Sequence, residues 1–87
     1  MGEEEKVLIG RVTHYFTRIS VAVVELSGEL RVGDEILIEG ATTRLRQRVE
    51  SMQIMHEPVE VAKPGQSIGL KVEGRVREND KVYKIIG

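Results

Sequence analysis

The sequence predicts an all-β fold: a small closed or nearly closed β-barrel of six or seven mainly antiparallel strands. Three observations carry that expectation. Apolar and polar residues alternate along most of the chain, whereas a helical period is almost absent. The alternating runs are rich in Val, Ile and Thr, and each ends at Gly, Pro, Ser, Asn or Asp, the residues that supply turns. Finally, 87 residues suffice for one domain only, and closing so short a sheet on itself removes the edges that would otherwise invite aggregation.

The elements follow in order. "MGEEE", residues 1–5, reads as a flexible acidic N-terminal tail, and residues 6–87 as a single barrel domain. The first strand is "KVLIGRVTHYF", Lys6 to Phe16, and the second is "ISVAVVEL", Ile19 to Leu26, ended by the turn pair Ser27-Gly28. In "GELRVGDEILIEG", Leu30 and Val32 offer alternating apolar contacts. Gly33 can take a positive φ, and Asp34 can accept bonds from backbone N–H groups as the chain turns into "DEILIEG", Asp34 to Gly40. The run "TRLRQRVESMQIMHE", Thr43 to Glu57, changes inward parity: Leu45 and Val49 share one phase, Met52 and Ile54 the other. One bent strand with a bulge near Glu50 and Ser51 satisfies that change, and so do two strands separated by a kink. Pro64-Gly65 marks a turn before "QSIGLKV", Gln66 to Val72, and "DKVYKII", Asp80 to Ile86, closes the set. Alternation places Val7, Ile9, Val21, Val23, Ile36, Ile38, Leu45, Val49, Ile54, Ile68, Leu70, Val72, Val82 and Ile85 in the core.

Composition narrows the function. Without cysteine there is neither a disulfide nor a thiolate metal site, which fits a reducing compartment. No apolar run approaches the ~18 residues of a membrane span, and the acidic N-terminus is unlike a signal peptide. The expectation is a cytoplasmic protein without membrane contact. A formal net charge of -1 gives no global attraction for nucleic acid, so any such binding requires a local patch. The only histidines, His14 in "THYF" and His56 in "MHEP", lack a shared motif spacing and read as polar residues at strand ends. Neither catalytic residues nor a metal or other cofactor are expected.

Arg44, Arg46 and Arg48 stand two apart in a strand, which projects three guanidinium groups from one face at roughly 6.5–7 Å intervals. Phosphates along a single nucleic-acid strand have similar spacing, so such a row can track an RNA backbone. The plain alternative is a solvated face that needs charge for solubility. Arg75 and Arg77 repeat the alternation in "EGRVREND" and extend the patch if the fold brings them near. With only Tyr15, Phe16 and Tyr83 as aromatics, phosphate or shape contact is favoured over base stacking.

"GRV" at Gly10, "ELRVGDEILIEG" at Glu29, "VESMQ" at Val49, "VAKPGQSIGLKVEG" at Val61 and "ENDKVYKI" at Glu78 together resemble a family. Their order and spacing are similar to those of the second domain of translational GTPases, such as elongation factor Tu, its archaeal equivalent and the large initiation factors. A related barrel occurs as a C-terminal module of collagenase-like peptidases, which "NDKVYKI" resembles equally. The resemblance implies a translation-protein type of barrel, and contacts with tRNA, rRNA or the ribosome. It maps family pocket positions onto Glu50, after the valine of "VES", and Ser67, after "PGQ". Ile9 and Gly10 stand where the family has an acidic pair, so generic RNA contact is implied rather than recognition of an amino-acid end. No G-x-x-x-x-G-K-[ST] loop is present, so GTP binding by this chain alone is not expected. Two functions remain open: an RNA- or ribosome-associated module without a GTPase domain, or a protein-interaction module docking on an enzyme or GTPase of another chain.

Overall fold

The computed structural model describes residues 5–86. These form ten short strands and no helix. β1 (Glu5–Phe16) and β2 (Val21–Leu26) make a long hairpin, and β3 (Leu30–Arg31) is a two-residue bridge. β4 (Glu35–Glu39) and β5 (Arg44–Arg48) make a second hairpin, β6 (Met52–Ile54) and β7 (Glu57–Val59) a third. β8 (Val61–Ala62), β9 (Ser67–Lys71) and β10 (Lys81–Ile86) complete the chain. Of the expected tail, residues 1–4 lie outside the described residues, and Glu5 opens β1 opposite Ile86. The strand count exceeds the expected six or seven because β3, β7 and β8, at two or three residues each, are too short to show an alternating pattern.

Eight strands hydrogen-bond in the order β5-β4-β10-β1-β2-β9-β6-β7, while β3 pairs with β8. All pairs are antiparallel. Of the closed or nearly closed barrel that was expected, full closure is not seen: neither sheet is closed, and β5 and β7 remain hydrogen-bond edges. The cause lies in the run Thr43 to Glu57, which is two strands rather than one bulged strand. Residues 49–51 leave strand geometry, and β6 pairs with β9 through Met52 opposite Leu70. Continued backwards, that register would set residues 49–51 against 71–73, but there a β5 side chain replaces the ladder. Gln47 Nε2 donates to the Lys71 carbonyl at 3.0 Å, and the Glu73 N–H donates to Gln47 Oε1 at 2.8 Å. Gln47 is buried, at 6% exposure, so its amide satisfies main-chain groups that have no strand partner.

Turn chemistry follows the sequence closely. Gly33 has φ 100° and Asp34 Oδ2 accepts the Arg31 N–H at 3.0 Å, the two roles read from "RVGDE". The β6–β7 turn is less conventional. Met55 and His56, between the paired Ile54 and Glu57, have φ 53° and 68°. Two positive angles mark a two-residue hairpin turn that ordinarily favours Asn-Gly.

The core holds Ile9, Ile36, Ile38, Val49, Ile68, Leu70, Val72 and Val82, all as expected, together with Val12, Leu30, Met52, Ala62 and Val76. Val21 and Val23 are only half-buried, because β2 turns Ala22, Val24 and Leu26 inward. Since residues 21–24 are all apolar, alternation could not choose the face; a register shift in β1 between Val12 and His14 accompanies the choice. Leu45, Ile54 and Ile85 are also half-buried, and Val7 is 46% exposed near the end of the sheet.

Candidate functional site

The arginine row occupies the outer face of β5. Arg44, Arg46 and Arg48 are exposed, while Leu45 and Gln47 turn inward between them. The neighbouring strand offsets much of the charge. Register places Glu39 opposite Arg44 and Glu35 opposite Arg48. Arg44 Nη1 donates to Glu39 Oε2 at 3.1 Å, Lys6 Nζ donates to Glu39 Oε1 at 2.7 Å, and Arg46 Nε donates to Glu35. Two carboxylates thus stand among the four cations Lys6, Arg44, Arg46 and Arg48. A phosphate backbone would have to compete with these pairs, which weakens the row as an RNA track.

Glu39 is held below the ordinary carboxylate pKa, first by its hydrogen bond from Lys6, with the charges of Lys6 and Arg44 adding and burial opposing. Its folded pKa is the lower one, so its stabilising contribution is full above the unfolded pKa and is lost as pH falls through the folded value. That window lies below the model-compound value of 4.5. Glu39→Gln is expected to flatten the fall of stability with acid in that range, as read by urea unfolding at a series of pH values. An acid limb identical to that of the parent would show that the pair contributes nothing.

Arg75 and Arg77 flank the buried Val76 in the irregular segment between β9 and β10, and both are exposed. The start of this segment does meet β5: Glu73 is bound to Gln47, and a Cβ built on Gly74 would lie 3.3 Å from Leu45 Cδ1. Its far end is tied by Asp80, 4% exposed, whose Oδ2 accepts the Arg77 N–H at 2.8 Å. Residues 73 and 74, which lead into the Arg75–Arg77 segment, thus adjoin β5 across the seam.

Glu50 and Ser67 occupy different depressions. Glu50 is exposed beside Val32, Ser51, Pro58 and Glu60, whereas Ser67 lies in a cleft with Phe16, Ile19, Met55 and His56. The two histidines are likewise on different elements. His14 in β1 approaches Glu78 at 3.3 Å and meets the Phe16 ring edge-on at 4.4 Å, while His56 sits in the β6–β7 turn. Among the described residues no three His, Cys, Asp or Glu side chains form a metal-binding group, and no helix is long and apolar enough to cross a membrane.

Sequence reading missed the exposed apolar surfaces. Phe16, Ile19 and Met55 are 46%, 57% and 88% exposed around the Ser67 cleft, and Val7, Leu8 and Ile86 are 46%, 49% and 44% exposed at the other end of β1. Alternation assigns apolar residues to a core by default, so uncovered positions are invisible to it. The one available signal was Met-His at a turn where smaller residues are usual.

The described residues thus form an antiparallel all-β module without helices, with paired surface charges and apolar surfaces at both ends of its longest strand. The chain belongs to the elongation factor Tu domain 2 family, whose model matches residues 19–79. It is 48% identical over 79 residues to an uncharacterized protease of Methanocaldococcus jannaschii, covering 90% of this chain and 19% of that protein. A collagenase of Porphyromonas gingivalis is 43% identical over 82 residues, covering 92% and 20%. Elongation factor 1-alpha of Pyrococcus furiosus is 41% identical over 58 residues, covering 62% and 13%. The chain thus spans about a fifth or less of the length of these curated relatives. Among solved structures, the C-terminal domain of a U32 peptidase from Geobacillus thermoleovorans superposes with a TM-score of 0.84 at 22% identity, covering 88% of this chain and 90% of that one. The GDP-bound initiation factor aIF5B of Aeropyrum pernix superposes at 0.60 and 17% identity, covering 93% and 14%. These two likenesses support the fold.

Proposed function

We propose that this chain is a non-catalytic protein-interaction module that works with a peptidase domain of the collagenase type. The observation that carries this reading is the extent of similarity: the protease and collagenase relatives match about nine tenths of the chain, the elongation factor under two thirds. The paired charges of the β5 face agree, since a surface whose cations already hold carboxylates suits a protein neighbour better than a phosphate chain.

The test is affinity capture, with this chain as bait and the Methanocaldococcus jannaschii protease expressed without its aligned segment as prey. The expected result is a stoichiometric complex that survives both RNase and high salt. RNA or ribosome contact is the second reading, favoured by the exposed cations Arg48, Arg75 and Arg77. It predicts instead co-sedimentation with ribosomes that falls steeply with salt, with a slope of about -0.7 per phosphate contacted. Ribosome binding of that kind, with no peptidase captured, would replace the docking reading.

A further inference from the structure

We infer that the outer face of β1, β10 and β4, centred on Leu8 and Tyr83, is the surface on which the peptidase domain docks. Cross-strand register sets Leu8 opposite Tyr83 and Tyr83 opposite Leu37, so the three form an apolar row on one face of the sheet. Arg46, exposed and opposite Leu37, identifies that face as the outer one. Leu8 is the exposed end of the row and Leu37, 6% exposed, its covered end, while Val7 and Ile86 are exposed on the opposite face of the same ladder.

The rim of the row is charged but internally matched. Lys6 lies 4.5 Å from the centroid of the Tyr83 ring and shares Glu39 with Arg44, and Arg46 holds Glu35. An apolar centre inside a ring of paired charges matches a neutral apolar surface and offers little to an anion.

Chain continuity selects the occupant. In the Methanocaldococcus jannaschii protease the aligned segment is 19% of the protein, so the remainder joins it through the ends of that segment. In this fold the two ends are neighbours, with Glu5 directly opposite Ile86. A connection at either end therefore emerges beside Val7, Leu8 and Ile86. The Phe16, Ile19 and Met55 cleft lies at the opposite end of β1, roughly 36 Å away at about 3.3 Å per residue, in a molecule whose longest extent is 40 Å.

The inference rests on the peptidase reading, and titration calorimetry against the same truncated protease separates the two. The parent chain is expected to bind. Leu8→Glu is expected to weaken binding by about tenfold or more, and Ile19→Glu, in the distant cleft, by less than about twofold. Thermal unfolding of each variant checks that the exposed substitutions leave the fold intact. Binding by the parent with no loss in Leu8→Glu overturns the surface and leaves the peptidase reading standing; loss in Ile19→Glu alone moves the docking to the cleft. No binding by the parent overturns both. A dimer of this chain that Leu8→Glu dissociates in sedimentation velocity would make a second copy the occupant, against the inference.

Discussion

Gln47→Ala is expected to destabilise the fold by about 2–4 kcal/mol, because it strands the Lys71 carbonyl and the Glu73 N–H at a part-buried seam, each unmatched group costing about 1–2 kcal/mol. In a domain of this size that corresponds to a fall in melting temperature of roughly 10–25 °C. Urea unfolding with a linear extrapolation reads the change, with the slope unaltered if the fold is otherwise the same. Gln47→Glu should be no rescue. It keeps an acceptor for the Glu73 N–H, but it sets a carboxylate against the Lys71 carbonyl where an amide N–H donated. A loss below about 0.5 kcal/mol for Gln47→Ala would mean that water replaces the amide and that the seam is not held by this side chain.

Gly40→Ala carries the second large effect. A Cβ at this position would lie 1.8 Å from Asp80 Oδ1 and 2.7 Å from Asp80 Cγ. The Asp80 carboxylate has little freedom to yield, being 4% exposed and bound to the Arg77 N–H. The expected cost is about 2–4 kcal/mol, combining overpacking with the lost charge-assisted hydrogen bond. Asp80→Ala removes the obstruction along with that bond, so the double variant should be about as stable as Asp80→Ala alone. A coupling energy of about 1–3 kcal/mol in the cycle is the signature of direct contact. Additive single effects would place the two residues in separate environments.

The strands of at least five residues were legible in the sequence because each covers several turns of the alternation. β1 begins within one residue of its expected start, and β4, β9 and β10 lie inside the runs Asp34 to Gly40, Gln66 to Val72 and Asp80 to Ile86. The parity change after Leu45 and Val49 was legible as well, although not its resolution into two strands, since a bulge and a break leave the same periodic trace. β2 was readable as a strand but not as to face, because residues 21–24 are apolar on both sides. At the candidate surfaces, the arginine row could be placed on one face from its spacing alone. Its partners could not, since Glu35 and Glu39 reach it only through the β4–β5 pairing.

By itself, then, the sequence determined the all-β class, the Gly33 and Asp34 turn, half of the core and the resemblance to the elongation factor Tu domain 2 family. These follow from local periodicity, turn chemistry and motif order, which act over a few residues. Only the tertiary structure decided that the sheet stays open at β5, that Gln47 is a seam residue rather than a polar spacer between arginines, and that Leu8, Tyr83 and Leu37 align across three strands. The physical reason is common to all three. Each depends on which residues from distant parts of the chain become neighbours, 24 positions apart for Gln47 and Lys71, and strand register that pairs them is set by the whole sheet rather than by any one segment.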